Sequence, residues 1–179
     1  MGRLTKQKDY ETLIDAFKLI HDTHSNFELF IFGDGVEKNN LIECVKKNGL
    51  EEFVVFKGLD KNALNTVYEA TCYVLSSQYE GMPNALMKAM AVGTPCVSTN
   101  CDYGPSDLIS NGISGLLVPG GDVNEIANGI NKIITDASYA EKIANEATRI
   151  KETNSIDIIS KQYYEYFERI YNEFKRKDR

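Results

Sequence analysis

The segment "CYVLSSQYEGMPNALMKAMAVGTPCVSTN" at residues 72–100 joins two short apolar runs through a polar loop and a helical stretch. The runs at 72–77 and 95–100 have the composition of buried strands. The stretch at 83–92 starts at a proline and ends before a glycine, which predicts a helix. A strand, a crossover helix and a second strand predict a parallel pair.

The same alternation continues on both sides of this segment. Further strand-like runs lie at residues 27–33, 53–58 and 115–119. Helical patterns occur near 36–48, 61–70, 105–110, 122–136 and 139–151, and an earlier helix is predicted from the spacing of Tyr10, Leu13, Ile14, Phe17 and Ile20. This order predicts an α/β fold, a Rossmann-like, doubly wound parallel sheet with helices on both faces. Ligands of such sheets bind at the carboxyl ends of the strands.

The length of 179 residues predicts a single domain, 1–179. Its last element is a helix at about 155–176, with an apolar stripe of Ile156, Ile159, Tyr163, Phe167, Ile170 and Phe174. The opening "MGRLTKQKD" has no strand before it, although doubly wound domains normally begin with one. We therefore expect the first strand to be short or lost, and the chain to be an excised carboxyl-terminal half or a truncated gene product.

Composition and charge exclude several classes of protein. With 42% hydrophobic and 26% charged residues, the chain is typical of globular proteins. The net charge of −6 argues against a nucleic-acid partner, although a local basic cluster is still able to bind a phosphorylated small molecule. No apolar run has the length of a membrane span, and the first residues do not form a signal peptide, so we predict a cytoplasmic location.

The cysteines and histidines do not suggest a metal site or a disulfide framework. The four cysteines, Cys44, Cys72, Cys96 and Cys101, contain no Cys-x-x-Cys pair, and both histidines lie in "HDTH". Cys72 and Cys96 occur in apolar runs, which favours buried, unreactive thiols. From these residues we predict neither a zinc site nor a disulfide framework.

The loop at Glu80 has features of a binding site. It follows the strand at 72–77, and Pro83 suits the first turn of the next helix. The free backbone N–H groups of that turn, at about Asn84 to Leu86, suit an anion, and the Glu80 carboxylate accepts hydroxyl protons. Asn84 and Lys88 share one helix face. Alternatively, Glu80 is a charge near a helix N-terminus that contributes only roughly 0.3–1 kcal/mol to stability.

Longer stretches carry a resemblance to a known family. "SSQYEGMPNALMKAMAVGTPCVST" followed by "NGISGLLVPGGD" resembles the donor-binding signature of family 4 retaining glycosyltransferases of the GT-B fold. "GRLTKQKDYETLIDAF" resembles the family's phosphate-binding opening, and "FIFGDGVEKNNL" and "VVFKGLDKNALNTVYEA" resemble its next two strand-helix units. The resemblance implies the C-terminal half of a GT-B fold, which binds the nucleotide-sugar donor.

The resemblance also implies roles for individual residues. Arg3 and Lys8 match the basic pair that binds the donor's diphosphate and stabilises the leaving group. Glu80 matches a glutamate that accepts hydrogen bonds from the hydroxyls of the transferred sugar. The other implied donor-binding residues are Gly2 in the opening, Gly58 and Leu59 near the base, and Gly81, Met82, Pro83, Asn84 and Ala85 near the sugar and β-phosphate.

Lys88 departs from the family pattern. It stands where the family's Glu-x7-Glu motif has its second glutamate, which usually binds the ribose hydroxyls, and a cation cannot accept those hydrogen bonds. Three explanations stay open at this point. Lys88 binds a phosphate, it pairs with Glu80, or the position has drifted after the site lost importance.

The implied function is retaining transfer of a sugar from a nucleoside-diphosphate sugar, with a UDP-sugar favoured, to a glycan or lipid-linked glycan in surface polysaccharide synthesis. The resemblance also implies that no metal and no cofactor take part, because side chains and helix termini stabilise the leaving group in this fold. The acceptor site belongs to an N-terminal domain absent from this chain, so the isolated domain should transfer little. The resemblance is compatible with peripheral membrane association of the full-length protein, at the inner face of the membrane. Two alternatives are a non-catalytic nucleotide-sugar-binding module and a GT-B-fold nucleotide-sugar epimerase.

Overall fold

The computed structural model describes the backbone of residues 1–177 and the side chains of residues 1–175. The chain divides into two compact units, Met1–Thr148 and Arg149–Arg179. The first unit holds every strand that the structure describes. The expected single domain stays a prediction, and its last two residues lie outside the described part of the chain.

The first unit alternates strands and helices, as predicted. Its strands are β1 Leu29–Phe32, β2 Val54–Gly58, β3 Tyr73–Leu75, β4 Cys96–Thr99 and β5 Leu116–Val118. Its helices are α1 Tyr10–Thr23, α2 Lys38–Lys47, α3 Ala63–Glu69, α4 Asn84–Ala91, α5 Pro105–Leu108, α6 Val123–Thr135 and α7 Ala137–Ala147, and a short 3-10 turn at Lys6–Lys8 precedes α1. Each strand lies inside a run predicted from the sequence, so the α/β prediction is confirmed.

The strands form two parallel sheets. β1 pairs with β2, and β3, β4 and β5 pair in that order. All four residues of β4 are buried, which explains why its sequence is a continuous run of small and apolar residues. Parallel strands bring the loops that follow them to the same edge of each sheet, and this edge holds the candidate site.

The core lies between the sheets and their helices. The predicted face of α1 is buried along its whole length, and α1 packs against α6. Cys96 is buried and Cys72 is partly buried, and burial raises the pKa of both thiols, so they are neutral and unreactive at pH 7. The cysteines are free, so the core is held by apolar packing without cross-links.

The second unit consists of two helices, α8 Ile150–Thr153 and α9 Ile156–Lys177. The helix expected at about 155–176 therefore lies at 156–177. The apolar stripe of α9 is exposed at Ile156, Tyr163, Phe167, Ile170 and Phe174. Within residues 1–177, no helix combines the length and the apolar character that crossing a membrane requires.

Candidate functional site

Two charged side chains meet where the chain leaves β3. The Lys8 Nζ atom lies 2.5 Å from Glu80 Oε1, although 72 residues separate the two along the chain. Only 6% of the Glu80 side chain and 19% of the Lys8 side chain is exposed. A carboxylate that is removed from water to this extent requires a counter-charge, and Lys8 supplies it.

Glu80 is positioned by the ends of β3 and β4. The Ser77 hydroxyl donates to Glu80 Oε1 at 2.6 Å, and the Thr99 hydroxyl donates to the Ser77 carbonyl at 2.6 Å. Oε1 therefore accepts two hydrogen bonds, from Lys8 and Ser77. Oε2 accepts none from any residue that the structure describes, so this oxygen is available to a ligand hydroxyl.

Lys8 is held by the segment that contains Glu80. The Gln78 backbone N–H donates to the Gln7 carbonyl at 2.8 Å, and the Gln7 side-chain amide donates to the Tyr79 carbonyl at 2.8 Å. The Ser76 hydroxyl donates to the Lys8 carbonyl at 2.8 Å. These hydrogen bonds hold residues 7–8 against the loop after β3, so the backbone on both sides of the ion pair is fixed.

The opening segment lies directly against the loop after β1. Gly2 donates from its backbone N–H to the Phe32 carbonyl at 2.9 Å. A Cβ atom on Gly33 would lie 1.8 Å from the Gly2 carbonyl oxygen, and one on Gly35 would lie 2.3 Å from the Leu4 carbonyl oxygen. Gly33 and Gly35 were not predicted as site-forming residues, yet their lack of side chains lets the opening segment reach the site.

Charge and burial keep the groups around Glu80 neutral. Burial, together with the Glu80 carboxylate, raises the pKa of Tyr10 to about 12. The same two causes raise the pKa of the Cys101 thiol. Tyr10 and Cys101 therefore carry no charge at pH 7.

Arg3 is exposed, and its guanidinium makes no hydrogen bond or ion pair with the backbone or the side chains that the structure describes. The structure therefore brings together Lys8 and Glu80 of the three predicted catalytic residues and leaves Arg3 free to bind a ligand anion. Arginine suits that role, because its planar guanidinium presents several donors to phosphate oxygens.

The predicted donor loop has a different hydrogen-bonding pattern from the one expected. Pro83 is buried and precedes α4, which begins at Asn84. The Asn84 backbone N–H donates to the Met82 carbonyl at 2.9 Å, so the prediction that this N–H is free was wrong. The N–H groups of Ala85 and Leu86 have no backbone acceptor in the described chain, and they remain available to an anion.

The loop that contains Gly104 packs against the predicted donor loop, residues 81–85. Gly104 has φ of +84°, and a Cβ atom there would lie 2.2 Å from the Gly81 carbonyl oxygen and 2.6 Å from Pro83 Cδ. Tyr103, beside it, also has a positive φ, of +63°, and is 79% exposed. No chemistry was predicted for "YGPSD" at 103–107, and the Tyr-Gly-Pro turn was the signal of this close approach.

Lys88 does not pair with Glu80. It is exposed on α4, while Glu80 Oε1 is engaged by Lys8 and Ser77. The structure therefore rejects one of the three explanations for Lys88.

Gly58 and Leu59, the predicted base contacts, lie at the end of β2. The Gly58 carbonyl accepts a bond from the Gly33 N–H at 2.7 Å, and 87% of Leu59 is exposed. The structure therefore links Gly58 to the loop after β1. Contact of either residue with a base stays a prediction.

Comparison with known proteins agrees with this architecture. The parallel α/β topology, with a site at the strand ends, defines the chain as a Rossmann-like domain of the GT-B type, and its solved relatives share that fold. The family model for glycosyl transferases group 1 matches residues 1–150, so the chain belongs to this family.

Three curated relatives show how much of a longer protein the chain represents. It is 38% identical over 109 residues to an uncharacterized glycosyltransferase of Methanocaldococcus jannaschii, covering 61% of the chain and 27% of the relative. It is 33% identical to an exopolysaccharide phosphotransferase of Streptomyces coelicolor, in a match that covers 92% of the chain and 18% of the relative. It is 31% identical to the lipopolysaccharide core biosynthesis glycosyltransferase LpsE of Rhizobium meliloti, in a match that covers 80% of the chain and 41% of the relative. The chain thus spans less than half of each relative.

Solved structures match the fold closely. The C-terminal domain of a glycosyl transferase group 1 family protein from Francisella tularensis has a TM-score of 0.77 at 25% identity, covering 86% of this chain and 83% of that one. Anabaena HepE, solved with UDP, has a TM-score of 0.87 at 24% identity, covering 94% and 47%. The second likeness establishes the fold alone.

Proposed function

We propose that this chain is the donor-binding domain of a retaining glycosyltransferase that uses a nucleoside-diphosphate sugar. The observation that carries the proposal is the Glu80 carboxylate, which is nearly buried and neutralised by Lys8 and yet has one oxygen without a partner among the described residues. Such an oxygen can accept a hydrogen bond from a sugar hydroxyl. The N–H groups of Ala85 and Leu86, which follow closely in the chain, suit a phosphate.

The charges at the site suit the departure of a diphosphate. Breaking the bond between the sugar and the diphosphate leaves negative charge on the phosphate oxygens, and cations and backbone N–H groups stabilise it. Arg3 and the first turn of α4 supply both, and Lys8 adds a further cation in its pair with Glu80. We therefore propose that the leaving group is stabilised by protein groups, without a metal or a cofactor.

The proposed donor is a UDP-sugar. Support comes from fold relatives solved with UDP, among them Anabaena HepE and Staphylococcus aureus TarM. The proposed acceptor is a glycan or lipid-linked glycan bound by a further domain, since relatives are named for lipopolysaccharide and exopolysaccharide synthesis. We place the full-length enzyme in the cytoplasm, at the inner face of the membrane, and expect the isolated domain to transfer little sugar.

Arg3→Ala should weaken UDP binding to this chain by about tenfold, because the loss of one charge-assisted contact with a phosphate corresponds to roughly 1.4 kcal/mol. Calorimetric titration with UDP, GDP and ADP measures the effect and identifies the base. Lys6→Ala is the matched control, since Lys6 is an exposed cation of the same segment. Equal affinity of Arg3→Ala and the unmodified chain for the preferred diphosphate would contradict the proposed site.

A second candidate function is a non-catalytic nucleotide-sugar-binding module, and Lys88 favours it. The cation stands where the family resemblance implies a carboxylate for ribose hydroxyls, and it has no ion-pair partner among the side chains that the structure describes. The two candidates make different predictions for a carboxylate at position 88.

Lys88→Glu in the full-length enzyme should raise sugar transfer by about tenfold if the protein is a catalyst. A carboxylate at this position can accept hydrogen bonds from the two ribose hydroxyls, whereas a lysine ammonium accepts none. The measurement is the rate of transfer from the UDP-sugar to a lipid-linked acceptor. Lys88→Met, which removes the cation and adds no oxygen acceptor, separates the new acceptor from the loss of charge. Transfer that stays at background in both variants would favour the binding module.

A further inference from the structure

Tyr103 adopts a backbone conformation that is unfavourable for a bulky residue. Its φ of +63° lies in the left-handed region, where the Cβ atom of an L-residue comes too close to the following carbonyl oxygen. Among residues 1–177, Asp9 is the other non-glycine residue with a positive φ, of +46°. Both residues adjoin the candidate site, since Asp9 follows Lys8 and Tyr103 precedes Gly104. Backbone strain of this kind concentrates at functional positions.

The strain at Asp9 has a local explanation, whereas the strain at Tyr103 has none. Aspartate tolerates the left-handed conformation, and the Asp9 carboxylate accepts a hydrogen bond from the Thr12 hydroxyl at 2.9 Å. Tyr103 is 79% exposed, and its side chain makes no hydrogen bond or ring contact with any residue that the structure describes. Neither local bonding nor packing in the core therefore accounts for a tyrosine at this position.

The loop that carries Tyr103 reaches the loop that contains Glu80. β3 and β4 are neighbouring parallel strands, so the loops that follow them lie side by side. A Cβ atom on Gly104 would lie 2.2 Å from the Gly81 carbonyl oxygen. Burial, and after it the Glu80 carboxylate, raises the pKa of the Cys101 thiol, so the start of the loop lies within electrostatic range of Glu80. Tyr103 is thus between two residues that are close to the Glu80 loop.

The surroundings of Glu80 combine polar and apolar groups. Tyr79 and Met82, on the loop after β3, are each more than half exposed, as Tyr103 is on the loop after β4. Large apolar side chains that are exposed together beside polar groups typically contact a ligand. A pyranose ring has the matching chemistry, because it carries hydroxyls at its edge and C–H groups on its faces. The face of a tyrosine ring has a negative potential that attracts such C–H groups.

We propose that Tyr103 is a specificity-determining residue that stacks its ring on a C–H face of the donor's transferred sugar. Glu80 Oε2 would accept a hydroxyl of the same sugar. The strained backbone keeps the ring outside the core, where a ligand can contact it. This inference rests on the proposed function, and it adds a residue that recognises the sugar part of the donor and not its nucleotide part.

Calorimetric titration of this chain with UDP-glucose and with UDP tests the two parts of the donor separately. Tyr103→Ala should weaken UDP-glucose binding by about fivefold and change UDP binding by less than about twofold, because only UDP-glucose carries a sugar. Tyr103→Phe should bind UDP-glucose like the unmodified chain, since stacking uses the ring face. Tyr68→Ala is the matched control: Tyr68 is an exposed tyrosine of α3, which ends near the start of β3, whereas Glu80 follows the end of β3.

Tyr103→Asn separates the loss of the ring from a loss of structure. Asparagine tolerates the left-handed conformation better than tyrosine, so this variant should unfold at a higher urea concentration than the unmodified chain. It lacks the aromatic ring, so it should bind UDP-glucose as weakly as Tyr103→Ala does. Full affinity of Tyr103→Asn for UDP-glucose would overturn the inference, because the ring would then be dispensable.

The outcomes distinguish this inference from the proposed function. If Tyr103→Ala binds UDP-glucose as tightly as the unmodified chain does, Tyr103 does not contact the sugar and the proposed function stands. An equal loss of UDP and UDP-glucose binding would also overturn the inference, since Tyr103 would then act on the nucleotide. So would a loss in Tyr103→Phe as large as that in Tyr103→Ala, because the hydroxyl would then be the binding group. An unmodified chain that binds neither UDP nor UDP-glucose would contradict the proposed function and this inference together.

Discussion

Lys8→Met should lower the free energy of unfolding by about 3 kcal/mol, because it removes the counter-charge of a carboxylate that is only 6% exposed. The Ser77 hydroxyl would remain as a donor to Glu80, but a neutral hydroxyl does not balance a buried charge. Urea unfolding followed by circular dichroism measures the change. Donor binding should fall as well, since the loop after β3 loses its ion pair with the opening segment.

Two further variants separate the buried pair from charge removal in general. Lys46→Met breaks the pair between Lys46 and Glu43, whose side chains are more than half exposed, and should leave the free energy of unfolding nearly unchanged, because solvent screens this pair. In Lys8→Met/Glu80→Gln no ionised group stays buried at the pair, so most of the lost stability should return. A double variant no more stable than Lys8→Met would show that Lys8 acts through packing of its alkyl chain.

The fold followed from local patterns, because each strand is a short apolar run bounded by turn residues and each long helix has one apolar face. Boundaries were less accurate where tertiary contacts decide them. The helix expected at 105–110 ends at Leu108, and the next residue, Ile109, is extended and 3% exposed. Burial of Ile109 in the core ends the helix at the preceding residue, and the local helix propensity of the sequence does not encode this tertiary contact.

The division of the strands into two sheets also depends on long-range geometry. A short or lost first strand was expected from the rule that doubly wound domains begin with one. Local periodicity could not reveal that β1 and β3 belong to different sheets and line one cavity, because the periodicity of a sequence does not encode strand order.

The site was predictable in part. The position of Glu80 after a buried strand indicated a crevice residue, and the family resemblance added Lys8, yet the residues alone did not connect the two across 72 positions. The pairing exists because Gln7 and the loop after β3 exchange backbone and side-chain bonds. The bond from Asn84 to the Met82 carbonyl was likewise invisible, since a tight turn before a helix uses up an N–H that an ideal helix start would leave free.

Gly104→Ala should destabilise the chain by about 3 kcal/mol and weaken UDP binding by at least about tenfold. The backbone φ of +84° contributes about 1 kcal/mol of that loss, and a Cβ atom 2.2 Å from the Gly81 carbonyl oxygen contributes the rest by displacing the donor loop. Gly121→Ala is the matched control, because Gly121 has φ of +72° and a Cβ atom added there would meet no other atom within 4 Å. Urea unfolding and UDP calorimetry on both variants measure the difference. If Gly121→Ala matches Gly104→Ala in both assays, backbone conformation alone explains the loss, and the close approach of Gly104 to Gly81 does not position the donor loop.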